Sequence, residues 1–218
     1  MNKINDYHQY VFNDKGFVGD FENMYKNCED PWGLDKNHDI QISYEIIASL
    51  IKFYKGLRNI QRPYIVEIGS GKGYFCNYIS HLGDITGIDI SETAVKISAE
   101  KYPNLKFINE NIINIKTGSA HKYDMAVMFK GMIWYIIDEV DTALENIKSM
   151  LKCNGIVIIE VNYYNSDYYG KEIISCDEDA IEIFRKYFKI LNIINHRYRN
   201  EDINFEVCSY FVMGKISD

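Results

Sequence analysis

The residues best placed to do chemistry lie in one run, Val66-Glu67-Ile68-Gly69-Ser70-Gly71-Lys72-Gly73. Three glycines at alternate positions free the backbone to turn sharply and let a ligand come close. One carboxylate, Glu67, stands two residues before the first glycine. A second, Asp89 in Gly87-Ile88-Asp89-Ile90-Ser91, lies 16 residues beyond Gly73. A carboxylate at that point can accept hydrogen bonds from both hydroxyls of a ribose. The run follows an apolar stretch that reads as a strand and opens one that reads as a helix. That places it at the carboxyl edge of a sheet, where open α/β folds bind ligands.

Spacing decides which ligand. The dinucleotide pattern G-x-G-x-x-G needs a glycine where this chain has Tyr74, and the ring would obstruct a pyrophosphate. The phosphate loop G-x-x-x-x-G-K-[ST] is absent. What remains, E-x-G-x-G-x-G, suits a nucleoside that carries an amino acid and a positive charge but no phosphate. S-adenosylmethionine (SAM) has this chemistry. Glu67 would offset its charge, Gly69, Ser70, Gly71 and Gly73 would pack against its methionine and ribose portions, and Asp89 would hold the ribose.

From Tyr64 to Asn162 the chain resembles the class I SAM-dependent methyltransferases. VEIGSGKG is similar to the family's first motif and GIDIS to its acidic strand end. YDMAVMFKGMIWYI resembles its fourth-strand motif. LKCNGIVIIEVN resembles its L-x-P-G-G turn and fifth strand, with Cys153 and Asn154 in place of Pro and the first Gly. The resemblance implies an adenine site after the third strand. The family has Gly-Asp there; LKFINENI offers Glu110-Asn111, with Asn111 able to accept through its amide oxygen and Asn109 or Glu110 as substitutes in a shifted register. Ile90 and Ile112 are apolar candidates to sandwich the ring, or ordinary core residues.

Methyl transfer from a sulfonium is an in-line displacement. It rests on positioning and on deprotonating the acceptor where that is needed. Lys130, Trp134 and Tyr135 follow the fourth predicted strand. Lys130 stands where relatives often carry an acid, so it would touch the cofactor region or suit an acceptor bearing phosphate or carboxylate. Asn162, Tyr163 and Tyr164 follow the fifth strand and could line an acceptor pocket. His38, Lys130, Tyr135 and His196 are the candidate catalytic groups, against the ordinary reading of each as a solvated or structural residue. The N-terminal FENMYKNCEDPWGLD adds Trp32, either a cap on the cofactor or acceptor or a staple for the N-terminal helix. F-E-x-M-Y…D-P-W resembles small methyltransferases of polysaccharide and sugar-modification clusters. D-P-W followed by Tyr-Glu, here Tyr44-Glu45, is loosely similar to the nodulation-type N-methyltransferases.

These residues need a scaffold. Apolar positions Ile42, Ile46, Ile47, Leu50, Ile51 and Tyr54 recur at helical spacing over 37–57, before Arg62-Pro63. Strands are expected at 64–69, 84–90, 105–108, 123–129, 154–162, 188–198 and 205–214. Helices are expected at 73–83, 91–102, 138–151 and 177–187. Ser91 is a predicted helix cap. Strands alternating with helices predict an α/β, Rossmann-like, mostly parallel seven-stranded sheet with helices on both faces. The loop RNEDIN is too short for a crossover, so the last two strands form an antiparallel hairpin. The division expected is 1–62 as a helical lid that selects the acceptor and 63–218 as the SAM-binding core.

Composition narrows the function. The 218 residues carry 24 Lys+Arg against 31 Asp+Glu, a net charge of −7, which disfavours nucleic acid as a partner. The abundance of Ile (34), Asn (20), Lys (19) and Tyr (18) tracks A/T-rich codons, so few of the tyrosines need a functional explanation. Cys28, Cys76, Cys153, Cys176 and Cys208 are scattered with no C-x-x-C pair, which argues against a disulfide framework or a zinc site. The first residues show no apolar leader, and the greasy stretch 125–137 is too short to span a bilayer. A cytoplasmic enzyme without metal or membrane, monomer or homodimer, is expected. It would methylate O or N of a small acceptor, a sugar or sugar-phosphate-type metabolite of surface glycan synthesis. The alternatives are another small amine, RNA or protein, and a non-catalytic SAM-binding module. The N-P-P-[YF] motif of base and protein N-methyltransferases is missing where MFKG stands.

Overall fold

The structure, a computed structural model, describes residues 7–14, 16–33, 38–115, 121–164, 167–197 and 205–216, without the side chains of 38–40 and 205–206. A short helix α1 (His8–Val11) leads into a two-stranded antiparallel ribbon, β1 (Phe12–Asn13) and β2 (Gly16–Phe17). Next come α2 (Phe21–Asn27) and the long α3 (His38–Leu57). Strands and helices then alternate: β3 (Tyr64–Ile68), α4 (Tyr74–Tyr78), β4 (Asp84–Asp89), α5 (Glu92–Lys101), β5 (Lys106–Asn109). After them come β6 (Tyr123–Met128), α6 (Val140–Met150), β7 (Leu151–Tyr164), α7 (Asp177–Phe184), β8 (Phe188–Arg197) and β9 (Phe205–Lys215). Strands β3 to β9 make the predicted seven-stranded sheet, in the order β5-β4-β3-β6-β7-β9-β8.

The chain divides into two compact units, Met1–Asn111 and Ile112–Asp218. In the first, β3, β4 and β5 are parallel, with Ile68 opposite Ile88 and Asp89 opposite Asn109. The interior positions of β3 and β4 are buried on both faces, while the edge strand β5 is only half-buried. In the second, β6 and β7 are parallel, and β9 pairs antiparallel with both β7 and β8. The last two strands therefore form the expected hairpin. Its connecting loop, RNEDIN, lies outside the described residues.

Several boundaries differ from expectation, among them the end of α7 at Phe184 where 187 is expected. The helix expected over 73–83 regularises only as α4. Beyond it, Ser80 N–H bonds to Asn77 and Leu82 N–H to Ile79, so tight turns keep Ile79 and Leu82 buried without a full helix. The helix expected from residue 138 begins at Val140, after a 3-10 segment, Met132–Glu139. The turn expected at 151–155 is instead the start of β7, where Leu151 pairs with Tyr123 before a register shift.

Candidate active site

Gly69, Gly71 and Gly73 all adopt left-handed backbone angles, φ 73°, 49° and 75°. No L side chain adopts three such positions cheaply, so the sequence folds this way because these are glycines. The loop is pinned to the neighbouring strand: Gly69 N–H (2.8 Å) and Ser70 N–H (3.0 Å) donate to the Ile88 carbonyl. Gly71 N–H donates to Asp89 Oδ2 (2.7 Å), and Ser91 N–H donates to Asp89 Oδ1 (2.9 Å). Asp89 is thus fixed at the end of β4, with lone pairs on both oxygens still to use. Burial raises its carboxyl to about 6. Ser91 caps α5 as predicted, its Oγ accepting from Ala94 N–H (3.1 Å).

Glu67 is 2% exposed. Desolvation pushes its carboxyl up to about 8, opposed by the Cys76 thiol that donates to Oε2 (2.8 Å) and reinforced by Asp89. Among the described residues no basic side chain stands against this carboxyl. Ser70 Oγ is buried with no hydrogen-bond partner among the described residues. Ile90, next to Asp89, is 51% exposed, an apolar side chain standing out at the strand edge. Asn109 Nδ2 donates to the carbonyls of Asp89 (3.1 Å) and Ile90 (2.8 Å), which commits this amide to holding the strand end. Asn111 is half-buried just beyond. These features fit SAM: a glycine cradle for close approach, an uncompensated buried carboxyl for its positive charge, and a fixed carboxylate for its ribose.

Trp32 donates through Nε1 to Tyr25 Oη (3.0 Å), and that oxygen lies against Gly71. Trp32 therefore bears on the glycine loop through Tyr25. Tyr44 is buried against Phe75 (4.9 Å between centroids) and Tyr78 (5.2 Å). Burial, with Glu67 nearby, drives its phenol well above the usual range. His38 opens α3; its side chain lies outside the described residues.

The second unit holds the remaining candidates. Ile112 is buried, in a 3-10 turn Ile112–Asn114. Lys130 has φ 55°. Asn59 and His121 share positive φ, but those residue types tolerate it; a half-buried lysine does not. Such strain concentrates at functional positions. Trp134 is buried, its Nε1 without a hydrogen-bond partner among the described residues, and Tyr135 is half-buried. Asn162 is buried and accepts from the Cys208 thiol (3.0 Å). Strand pairing sets Asn162 opposite Cys208, and Cys208 opposite His196, so the three share one face across β7, β9 and β8. Burial, with Asp177 close, raises the phenol of Tyr163 far above its usual range. Tyr164 lies near Tyr168 (5.3 Å), which in turn meets Trp134 edge-on (4.9 Å).

Sequence reasoning missed four residues. Glu160 is fully buried two residues from Asn162 on the same face of β7. Its place in IIEVN was the available signal. Tyr168 had none. Tyr25 and Glu22 lay in the singled-out FENMY, but their partners are distant in sequence. Among the described residues, no three His, Cys, Asp or Glu side chains converge as a metal site, and no helix is long and apolar enough to cross a membrane.

Residues 66–157 match the family described as Methyltransferase domain. An uncharacterized methyltransferase of Alkaliphilus oremlandii is 22% identical over 178 residues, covering 78% of this chain and 82% of that one. Three other curated relatives are matched at 30–32% identity, and the chain spans 48%, 30% and 46% of their length. Among solved structures, the N-methyltransferase NodS of Bradyrhizobium japonicum WM9, in complex with S-adenosyl-L-homocysteine (SAH), superposes with TM-score 0.70 at 16% identity, covering 89% of this chain and 97% of that one. The 1,6-didemethyltoxoflavin-N1-methyltransferase of Burkholderia thailandensis superposes at 0.68 and 16%, covering 92% and 87%. The glycine loop and Asp89 lie within the matched residues, and the fold is the Rossmann-like fold of the class I SAM-dependent methyltransferases, which the chain resembles.

Proposed function

We propose that this protein transfers a methyl group from SAM to oxygen or nitrogen of a small acceptor. The observation that carries the reading is the cradle of Gly69, Gly71 and Gly73 facing Asp89, with the buried Glu67 behind it. When bound, SAM supplies an electrophilic methyl on a sulfonium, whose departure leaves a neutral thioether. Glu67 offsets the cofactor's charge, Asp89 accepts from the ribose hydroxyls, Ile90 offers an apolar surface to the adenine, and Asn111 accepts from its amino group. Ile112 and Lys130 complete the assigned cofactor residues.

The acceptor falls to the second unit's residues, with Trp134, Tyr135, Asn162, Tyr163 and Tyr164 as contacts and residues 1–62, including Trp32 and Tyr44, as a lid. Lys130, held in a strained conformation, suits an anionic group such as a sugar phosphate. An acceptor of surface glycan synthesis fits that charge. One fold neighbour is a methyltransferase with 1,6-didemethyltoxoflavin bound, and another, NodS, is an N-methyltransferase. His196 and Glu160 share a face with Asn162, and His196 is a candidate, with His38, Lys130 and Tyr135, for the catalytic group.

Calorimetric titration with SAM, SAH and NAD tests the reading. SAM and SAH bind and NAD does not. Tight NAD binding without SAM binding overturns it.

A further inference from the structure

Asp89 is gripped from two sides, by Gly71 N–H and by Ser91 N–H. One helix, α2, reaches both sides. Glu22 accepts from Ser91 Oγ (2.7 Å), Thr93 N–H (3.1 Å) and Thr93 Oγ1 (2.7 Å). Three residues on, and so on the same helix face, Tyr25 lays its hydroxyl oxygen on Gly71, 2.6 Å from where a Cβ would stand. Lys72 extends the contact, donating to the carbonyls of Cys28 (3.3 Å) and Glu29 just after α2.

The Glu22 contact exceeds what helix capping requires. Ser91 already caps α5 by accepting from Ala94, and its hydroxyl proton is what it gives to Glu22. The same serine supplies the backbone N–H that holds Asp89. Glu22 therefore connects to Asp89 through a single residue. The hydrogen bonds from Thr93 and Ser91 hold its carboxyl down at about 2, so it stays ionised throughout the neutral range.

We infer that α2 is a clamp on the ribose-binding carboxylate, with Glu22 as a positioning residue that acts through Ser91 and Tyr25 as its counterpart at Gly71. The inference rests on Asp89 being the ribose acceptor. Docking of α2 and binding of the cofactor then strengthen each other, because a coupling between two events is reciprocal.

Titration of SAH into the full chain tests it. Glu22→Ala weakens binding about tenfold, and Glu22→Gln, which keeps one acceptor oxygen, about threefold. Thr93→Val removes a donor from the other side and weakens binding too, which covers a Glu22→Ala chain that fails to fold. Hydrogen exchange gives a readout that a merely structural contact would not move: SAH slows exchange of the α2 amides in the wild type but not in Glu22→Ala. Affinities of Glu22→Ala and Thr93→Val within about twofold of wild type, alongside a weakened Asp89→Ala, overturn the clamp. If Asp89→Ala also binds SAH normally, the ribose assignment falls and the clamp with it.

Discussion

Glu67 is buried away from water. Its carboxyl, raised to about 8, carries a proton in the free protein at neutral pH. A cationic ligand favours the ionised form, so binding below pH 8 expels that proton. SAM affinity should therefore rise from pH 6 to pH 8, by at most about tenfold per unit, and level off above. Titrations across this range, in two buffers of different ionisation enthalpy, would show both the trend and the released proton. A flat profile removes Glu67 from charge compensation. Asp89 makes a second prediction: Asp89→Ala should cost about 1–3 kcal/mol of SAM binding by leaving ribose hydroxyls unpaired. Calorimetry checks it, and unchanged affinity places the ribose elsewhere.

At the scale of elements, the site residues sit where regular structure stops. β3 ends at Ile68 and gives way to the left-handed glycines; β4 ends at Asp89; β6 ends at Met128, two residues before Lys130. Each strand end frees the backbone to aim groups that a ladder would otherwise consume. Lys130 is the position where this carries strain without the excuse of a tolerant side chain. Lys130→Gly should raise the melting temperature by roughly 2–4 °C, corresponding to about 1 kcal/mol of relieved strain. A lower melting temperature would show that the lysine contributes packing or charge that outweighs its backbone angle.

For the whole molecule, charge and ligand linkage are the measurable quantities. A net charge of −7 with no basic tract gives little attraction to a phosphate backbone. Small-molecule binding should instead dominate stability. SAH at about 100 times its dissociation constant should add roughly 2.7 kcal/mol to the folded state, a rise of about 5–10 °C by thermal denaturation for a chain of this size. Asp89→Ala at the same SAH concentration should show much less. An equal shift in wild type and variant would mean that SAH stabilises the protein from another site.

The sequence by itself determined the alternating strands and helices, the closing hairpin, the glycine cradle, Glu67, Asp89 and the Ser91 cap. All of these depend on residues within a few positions of one another, where apolar period, glycine freedom and capping chemistry act directly. Tertiary structure decided the rest. The Glu22 grip on Ser91 and Thr93 joins residues about 70 apart in the chain, and the row of Asn162, Cys208 and His196 exists only through strand register. It also decided that Asn109 spends its amide on the β4 end. The reason is physical: a hydrogen bond between distant segments leaves no periodicity in the sequence, because its partners are chosen by packing and not by spacing.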